Sequence, residues 1–183
     1  AVTGSVAETA DKKVIGVSQI QYTSEWRIAE TNSMIRALIE AGYEVIYTNA
    51  QGETQQQIAN CEDLLSQGID YLMLSPLESN GLTAVLEDAK AQNVPVILID
   101  RWATGVNGED FVCYIGTEQV GQGSKCAEWI VENVGETANI VVLQGDPSSS
   151  SVQDRGKGFY DVIEQYEGLK VVSDQVANDS LTE

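Results

Sequence analysis

The chain has 183 residues, 43% of them hydrophobic, which is enough for one well-packed domain and part of another. It carries 28 acidic against 10 basic side chains, a formal net charge of −18, so its surface repels phosphate backbones and anionic lipid, and no nucleic-acid partner is expected. Histidine is absent. That removes the usual general base and the commonest metal ligand, so neither an enzyme nor a cofactor or metal site is expected.

Residues 1–12 are small and polar, without apolar periodicity, and are expected to form a flexible tail, either a residual expression tail or the tether-like start of a mature exported protein. No run downstream is long and apolar enough for a transmembrane helix. Residues 14–18, short and β-branched, read as the first strand. A helix is predicted over 26–41, where Ile28, Ile35, Leu38 and Ile39 recur at helical spacing, with Ser24 as its N-cap and Gly42 as its stop. The second strand is 44–48. The second helix, 53–67, carries Ile58, Cys61, Leu64 and Leu65 on one face and ends at Gly68. The third strand is 70–75, and Leu82, Val85, Leu86 and Ala89 mark the third helix, with Asn80 as its cap. Residues 94–100 form the fourth strand, nearly all apolar, as a strand covered on both faces should be. Strand-plus-helix units of roughly 25–30 residues match consecutive right-handed βαβ crossovers.

After Asp100 the rhythm breaks. Residues 101–110 are irregular, followed by strands at 111–115, 139–143 and 169–174 and helices at 119–134 and 152–166. Too few elements follow Ile115 for a complete second unit. The expected organisation is a lobe over 13–115 and part of a second lobe over 116–183.

Cys61, Cys113 and Cys126 have neither an even count nor Cys-x-x-Cys spacing, so they are expected to be buried free thiols.

Candidate ligand contacts follow from where polar residues leave the strands. In an open parallel sheet the mouth at the carboxyl ends of the strands holds ligands. The loop after the first strand, starting at Ser18, delivers Trp26 and Arg27 side by side at a helix start. A ring beside a guanidinium suits a flat, hydroxylated, uncharged or anionic molecule; the alternative is a Trp at a helix start that simply packs inward. Asp100 and Arg101 close the most apolar strand, where a carboxylate can accept from two neighbouring hydroxyls; the alternative is a local Asp–Arg pair that orders the next loop. Asp154 and Arg155 follow Gly145-Asp-Pro-Ser-Ser-Ser-Ser151, whose serines alternatively just cap a helix. That loop lacks the Gly-Lys-Ser/Thr end of a phosphate-binding loop.

These residues also carry a family resemblance. Ser-Gln-…-Ser-x-Trp-Arg-x-Ala-Glu-Thr-Asn, from Ser18 to Asn32, resembles the opening of periplasmic sugar-binding proteins of the ribose-binding, type I group, and within it the galactofuranose-binding branch. The likeness continues through Leu74-Ser-Pro76, Ile97-Leu-Ile-Asp-Arg101, Val142-Leu-Gln-Gly145 and Asp154-Arg-Gly-Lys-Gly-Phe159. It implies an α/β fold of the periplasmic-binding-protein type I class: a parallel-sheet βαβ lobe plus an incomplete second α/β lobe, with a monosaccharide trapped between them. By that resemblance Trp26 would stack on the sugar and Arg27 would donate to its hydroxyls. Asp100 and Arg101 would be the main hydroxyl partners, with Ser18 and Ser75 nearby, and Arg155 with Asp154 would reach in from the second lobe. The resemblance places a second-lobe aromatic near Ser180, where this chain has none.

The implied function is an extracytoplasmic solute-binding protein of an ABC sugar importer, periplasmic or lipid-anchored, with the transporter's membrane subunits as partners. The family continues about a hundred residues further, so the 183-residue chain alone is expected to bind sugar weakly or not at all and to self-associate. Two other classes are weighed. A sugar-sensing effector domain shares the fold, but residues 1–12 are too short for a helix-turn-helix. An enzyme on a flavodoxin-like sheet would need a dinucleotide fingerprint or nucleophile elbow that the sequence lacks.

Overall fold

The computed structural model describes residues 12–177. The expected tail, apart from Lys12, and Ser180 lie outside the described residues. The elements run β1 (Val14–Gln19), α1 (Glu25–Glu40), β2 (Glu44–Asn49), α2 (Thr54–Ser66), β3 (Tyr71–Leu74), α3 (Thr83–Ala91), β4 (Val96–Ile99), β5 (Cys113–Ile115), α4 (Gln119–Asn133), β6 (Ala138–Gln144), α5 (Ser150–Ile163) and β7 (Leu169–Val176). β1 to β5 form one all-parallel sheet in the order β2-β1-β3-β4-β5, and β6 and β7 form a second parallel pair. The order reverses at β1, which opens a crevice beyond the carboxyl ends of β1 and β3.

Strand alternation divides the larger unit into two cores. Leu72, Leu74, Val96 and Leu98 pack with Leu64 and Leu65 of α2 and with Val85 and Leu86 of α3. Ile15, Val17, Met73 and Ile99 face the other way, against Met34 and Leu38 of α1. Gly16 lets α2 lie close on β1, since an added Cβ would sit 2.6 Å from Ile69 Cδ1. Fully burying such Leu, Ile and Val side chains stabilises by about 1.5–3 kcal/mol each.

Helix ends follow the sequence unevenly. Ser24 caps α1 as expected, its Oγ accepting from Arg27 N at 3.2 Å. Asn80 does not cap α3. That helix starts after Leu82 without a side-chain cap, and Asn80 Oδ1 instead accepts from Thr104 Oγ1 of the loop beyond β4. α5 starts at Ser150, two residues earlier than its apolar pattern suggests, with Ser149 at the N-cap position bonded to Ser151 rather than to the helix backbone.

In the smaller unit, α4 and α5 cover one face of the β6–β7 pair. Ala127, Ile140, Ile163 and Leu169 form the centre of that core. The opposite face presents Val141, Leu143 (73% exposed) and Val172 to solvent. An apolar face of this kind drives association. Light scattering on the 183-residue chain is expected to show a mass that rises with concentration, and Leu143→Lys to suppress the rise; a constant monomer mass would refute the expectation.

All three cysteines are free, but only Cys61 is buried; Cys113 is half-buried and Cys126 exposed. The expectation of three buried thiols is thereby corrected. The helical pattern of α4 does not reveal that Cys126 lies on its outer side. Burial pushes the Cys61 thiol up to about 11, an effect the neighbouring Ser18 hydroxyl only partly offsets. Since thiolate is the reactive form, alkylation near pH 8 is expected to modify Cys126 within minutes and to leave Cys61 intact until the chain unfolds. Mass spectrometry of the labelled peptides checks this, and rapid labelling of Cys61 in the folded chain would contradict it.

Candidate functional site

The larger and smaller units face each other across a cleft of about 840 Å³. Ile20, Trp26, Arg27, Leu77, Asp100 and Arg101 line one wall; Gln122, Asp146, Ser151, Val152 and Arg155 line the other. The sequence holds four arginines, and three of them line this cleft. In a chain of net charge −18 that is a local concentration of donors.

The wall of the larger unit is built on one guanidinium. Arg27 lies in the first turn of α1, and its side chain is only 6% exposed. Its Nη2 donates to Asp100 Oδ2 at 2.7 Å, and its Nη1 donates to Glu30 Oε2 at 2.9 Å and Ser75 Oγ at 3.2 Å. The guanidinium carbon sits 4.8 Å from the centre of the Trp26 ring, a cation–π contact. Trp26 is 56% exposed, so the ring faces the cleft rather than the core. It offers a flat apolar platform, and the guanidinium lies over the ring.

Asp100 reaches Arg27 through an unusual backbone. Alternation along β4 would place it with Val96 and Leu98, on the α2–α3 side. Its φ of 63° breaks that alternation. Asp is among the few non-glycine residues that tolerate this region, at a cost of about 1 kcal/mol or more. The turn is held from β5: Asp100 N donates to Ile115 O at 2.8 Å, and Tyr114 Oη donates to Asp100 O at 2.8 Å. Asp100 thus forms a long-range pair with Arg27. Arg101 Nη1 donates to Leu77 O at 3.1 Å, which fixes the loop after β3 against the cleft.

Not every predicted contact reaches the cleft. Ser18 is fully buried, because the even positions of β1 face α2, where it abuts Cys61. Ser75 is buried beneath Arg27 and touches the cleft only through it. Asp154 lies outside the lining residues, one position around α5 from Arg155, which does line it. Arg155 Nε donates to Gln122 Oε1 at 2.9 Å, so the opposing guanidinium is braced by a neutral amide.

Several residues that hold the site carried no role in the sequence reading. Gln19 is fully buried; its Nε2 donates to Glu30 Oε2 at 3.1 Å and Thr31 Oγ1 at 3.0 Å. Gln57, also fully buried, donates to Ser75 O at 2.7 Å and accepts from Leu77 N at 2.9 Å, clamping the chain after β3. The signal for Glu30 was its i+3 spacing from Arg27 on one helix. Gln19 and Gln57 had no such signal, since an amide inside an apolar pattern reads as exposed. The two walls also meet directly: Ser79 N donates to Ser148 O at 3.1 Å, and Trp102 N donates to Ser150 Oγ at 2.7 Å.

The chemistry of this cleft is hydrogen bonding and stacking. Among the described residues no cluster of three or more acidic, Cys or His side chains is placed to hold a metal ion. No described helix is long and apolar enough to cross a membrane.

Comparison with known proteins agrees with that chemistry. The ribose import binding protein RbsB of Bacillus subtilis is 30% identical over 164 residues, which cover 90% of this chain and 52% of that protein. The galactofuranose-binding protein YtfQ of Escherichia coli is 29% identical over 162 residues, covering 88% of this chain and 51% of its own. Among solved structures, a galactofuranose binding protein superposes with a TM-score of 0.85 at 28% identity, over 91% of this chain and 56% of that one. The fructose binding periplasmic domain of a hybrid two component system superposes with a TM-score of 0.84 at 25% identity, over 92% of this chain and 55% of that one. The chain thus spans about half the length of the curated relatives it matches. These relatives are named as binding proteins, not as enzymes. Residues 15–183 match the family described as periplasmic binding protein domain, so the chain, with its parallel α/β units and interposed cleft, belongs to the type I periplasmic binding proteins.

Proposed function

We propose that the chain is the amino-terminal portion of an extracytoplasmic solute-binding protein that delivers a monosaccharide to an ABC importer. The lobes correspond to residues 13–115 and 116–183. One observation carries the reading: an exposed Trp26 ring is fixed beside the Arg27–Asp100 pair on one wall of a cleft whose other wall presents Arg155. Stacking takes the C–H face of a sugar ring, while the carboxylate and guanidinium groups take its hydroxyls. The likeness to proteins named for ribose and galactofuranose favours a pentose or a furanose. Calorimetric titration of the full natural chain with galactofuranose, arabinofuranose, ribose and galactopyranose tests it. Tight binding of one furanose is expected, and silence across the panel would refute the sugar reading.

A second reading, the sensory domain of a signalling protein, is favoured by the likeness to the fructose binding domain of a hybrid two component system. The same cleft would serve it. Stimulation of a reconstituted importer's ATPase by the sugar-loaded protein supports the transport reading, and its absence with a bound sugar supports the sensor.

A further inference from the structure

We infer that Glu30 is the positioning and selectivity residue of the larger unit's half-site. It holds the Arg27 guanidinium from behind and, by sharing that positive charge, keeps Asp100 a strong acceptor for neutral hydroxylated ligands. This rests on the monosaccharide reading above.

Glu30 does not line the cleft, and its side chain is 15% exposed. Its Oε2 accepts from Arg27 Nη1 and from Gln19 Nε2. Gln19 is itself fixed, since its Oε1 accepts from Ile20 N at 3.0 Å. The brace therefore runs from the β1 backbone through an amide and a carboxylate to the guanidinium, and from there to Asp100. Arg27 is held at both Nη atoms and cannot rotate without breaking one ion pair.

Glu30 Oε1 is buried with no hydrogen-bond partner among the described residues. Burial, together with the Asp100 charge, outweighs Arg27 and pushes the Glu30 carboxyl up. A carboxylate kept under such conditions is a poor stabilising device. Local rules are broken in this way at functional sites. The charge count supplies the function. Arg27 and Asp100 alone would neutralise each other, leaving Asp100 a weakened acceptor. With Glu30 the cluster is one guanidinium to two carboxylates, a net −1. A sugar hydroxyl then meets an anionic acceptor, and the second carboxylate offsets part of the positive charge that Arg101 and Arg155 bring to the cleft, which lowers its attraction for a carboxylated sugar.

The test compares the natural chain with Glu30→Gln, which keeps an oxygen acceptor but loses the charge, and Glu30→Ala, which loses both. Nitrogen-15 NMR of the guanidinium groups, with Arg27 assigned by Arg27→Lys, reads the brace without any ligand. The Arg27 Nη signals are expected to be resolved in the natural chain and in Glu30→Gln, and averaged by rotation in Glu30→Ala. Calorimetry with galactose and galacturonate as probes reads the charge: the preference for galactose is expected to fall about tenfold in Glu30→Gln. Circular dichroism melting confirms that each variant is folded. Unchanged Arg27 signals in folded Glu30→Ala, or an unchanged galactose preference in Glu30→Gln, would overturn the inference. If no form binds either probe while a sugar of the panel above binds, the selectivity role falls; if nothing in the panel binds, the monosaccharide reading falls; the NMR comparison decides the positioning role in either case.

Discussion

Asp100→Ala is expected to weaken monosaccharide binding by about 100-fold or more, equivalent to roughly 2.7 kcal/mol. Three effects add. The ligand loses its charge-assisted acceptor. Arg27 loses the 2.7 Å partner that turns Nη2 towards the cleft. The backbone at φ 63° loses one of the few side chains that tolerate it. The fold should suffer less than the affinity. Breaking a buried pair outright costs about 3–5 kcal/mol, but Glu30 and Ser75 still hold Nη1. About 1–2 kcal/mol of destabilisation is expected as a result. Asp100→Asn keeps both the size and the backbone tolerance, so its affinity should fall between the two. Calorimetry and denaturant titration on the full natural chain measure both quantities, and wild-type affinity in Asp100→Ala would remove Asp100 from the ligand site.

The second large effect concerns the smaller unit. Gly123→Ala or Gly158→Ala is expected to destabilise it by about 2–4 kcal/mol. A Cβ at Gly123 would lie 1.9 Å from Arg155 O, and one at Gly158 would lie 1.8 Å from Val120 O. Both obstacles are backbone, so no rotamer change relieves them and α4 must move away from α5. That opens the core of Ala127, Ile140, Ile163 and Leu169, and it shifts the carbonyl of the residue that carries the opposing guanidinium. Gly156 is the internal control. It lies in the same helix with nothing within 4 Å of an added Cβ, so Gly156→Ala is expected to stabilise by about 0.5–1 kcal/mol. Opposite signs at two positions of one helix are the signature to look for in hydrogen exchange of α5 amides. Equal effects at 156 and 158 would contradict the close helix approach.

The order and type of the elements were legible because each strand and helix carries its own period. The β1–β4 crossovers, the Ser24 cap and the break after Asp100 all appear in the sequence, since each depends on neighbours a few residues away. Trp26, Arg27, Asp100, Arg101 and Arg155 were legible as a group because they sit where strands end and helices begin. Ser18 and Ser75, which the family resemblance puts near a ligand, are buried behind the cleft wall. A residue at a strand's end shares the region of the mouth, yet strand parity decides which face it occupies. Asp154 adjoins Arg155 in sequence but not in the lining, because consecutive helix positions point about 100° apart. Asn80 has the composition of a cap, but the loop after β4 supplies a competing donor.

By itself the sequence determined the alternation of strand and helix, the parallel fold, the acidic surface and the short list of polar groups at the cleft's edge. These are local properties, set by side-chain period and charge. Only the tertiary structure decided that Arg27 pairs with Asp100, 73 residues away. It also decided that Gln19 and Glu30 brace that pair from behind, and that Gly123 and Gly158 meet across two helices. These contacts depend on which faces the folded backbone turns together, and above all on the left-handed backbone at Asp100, which no period in the sequence encodes.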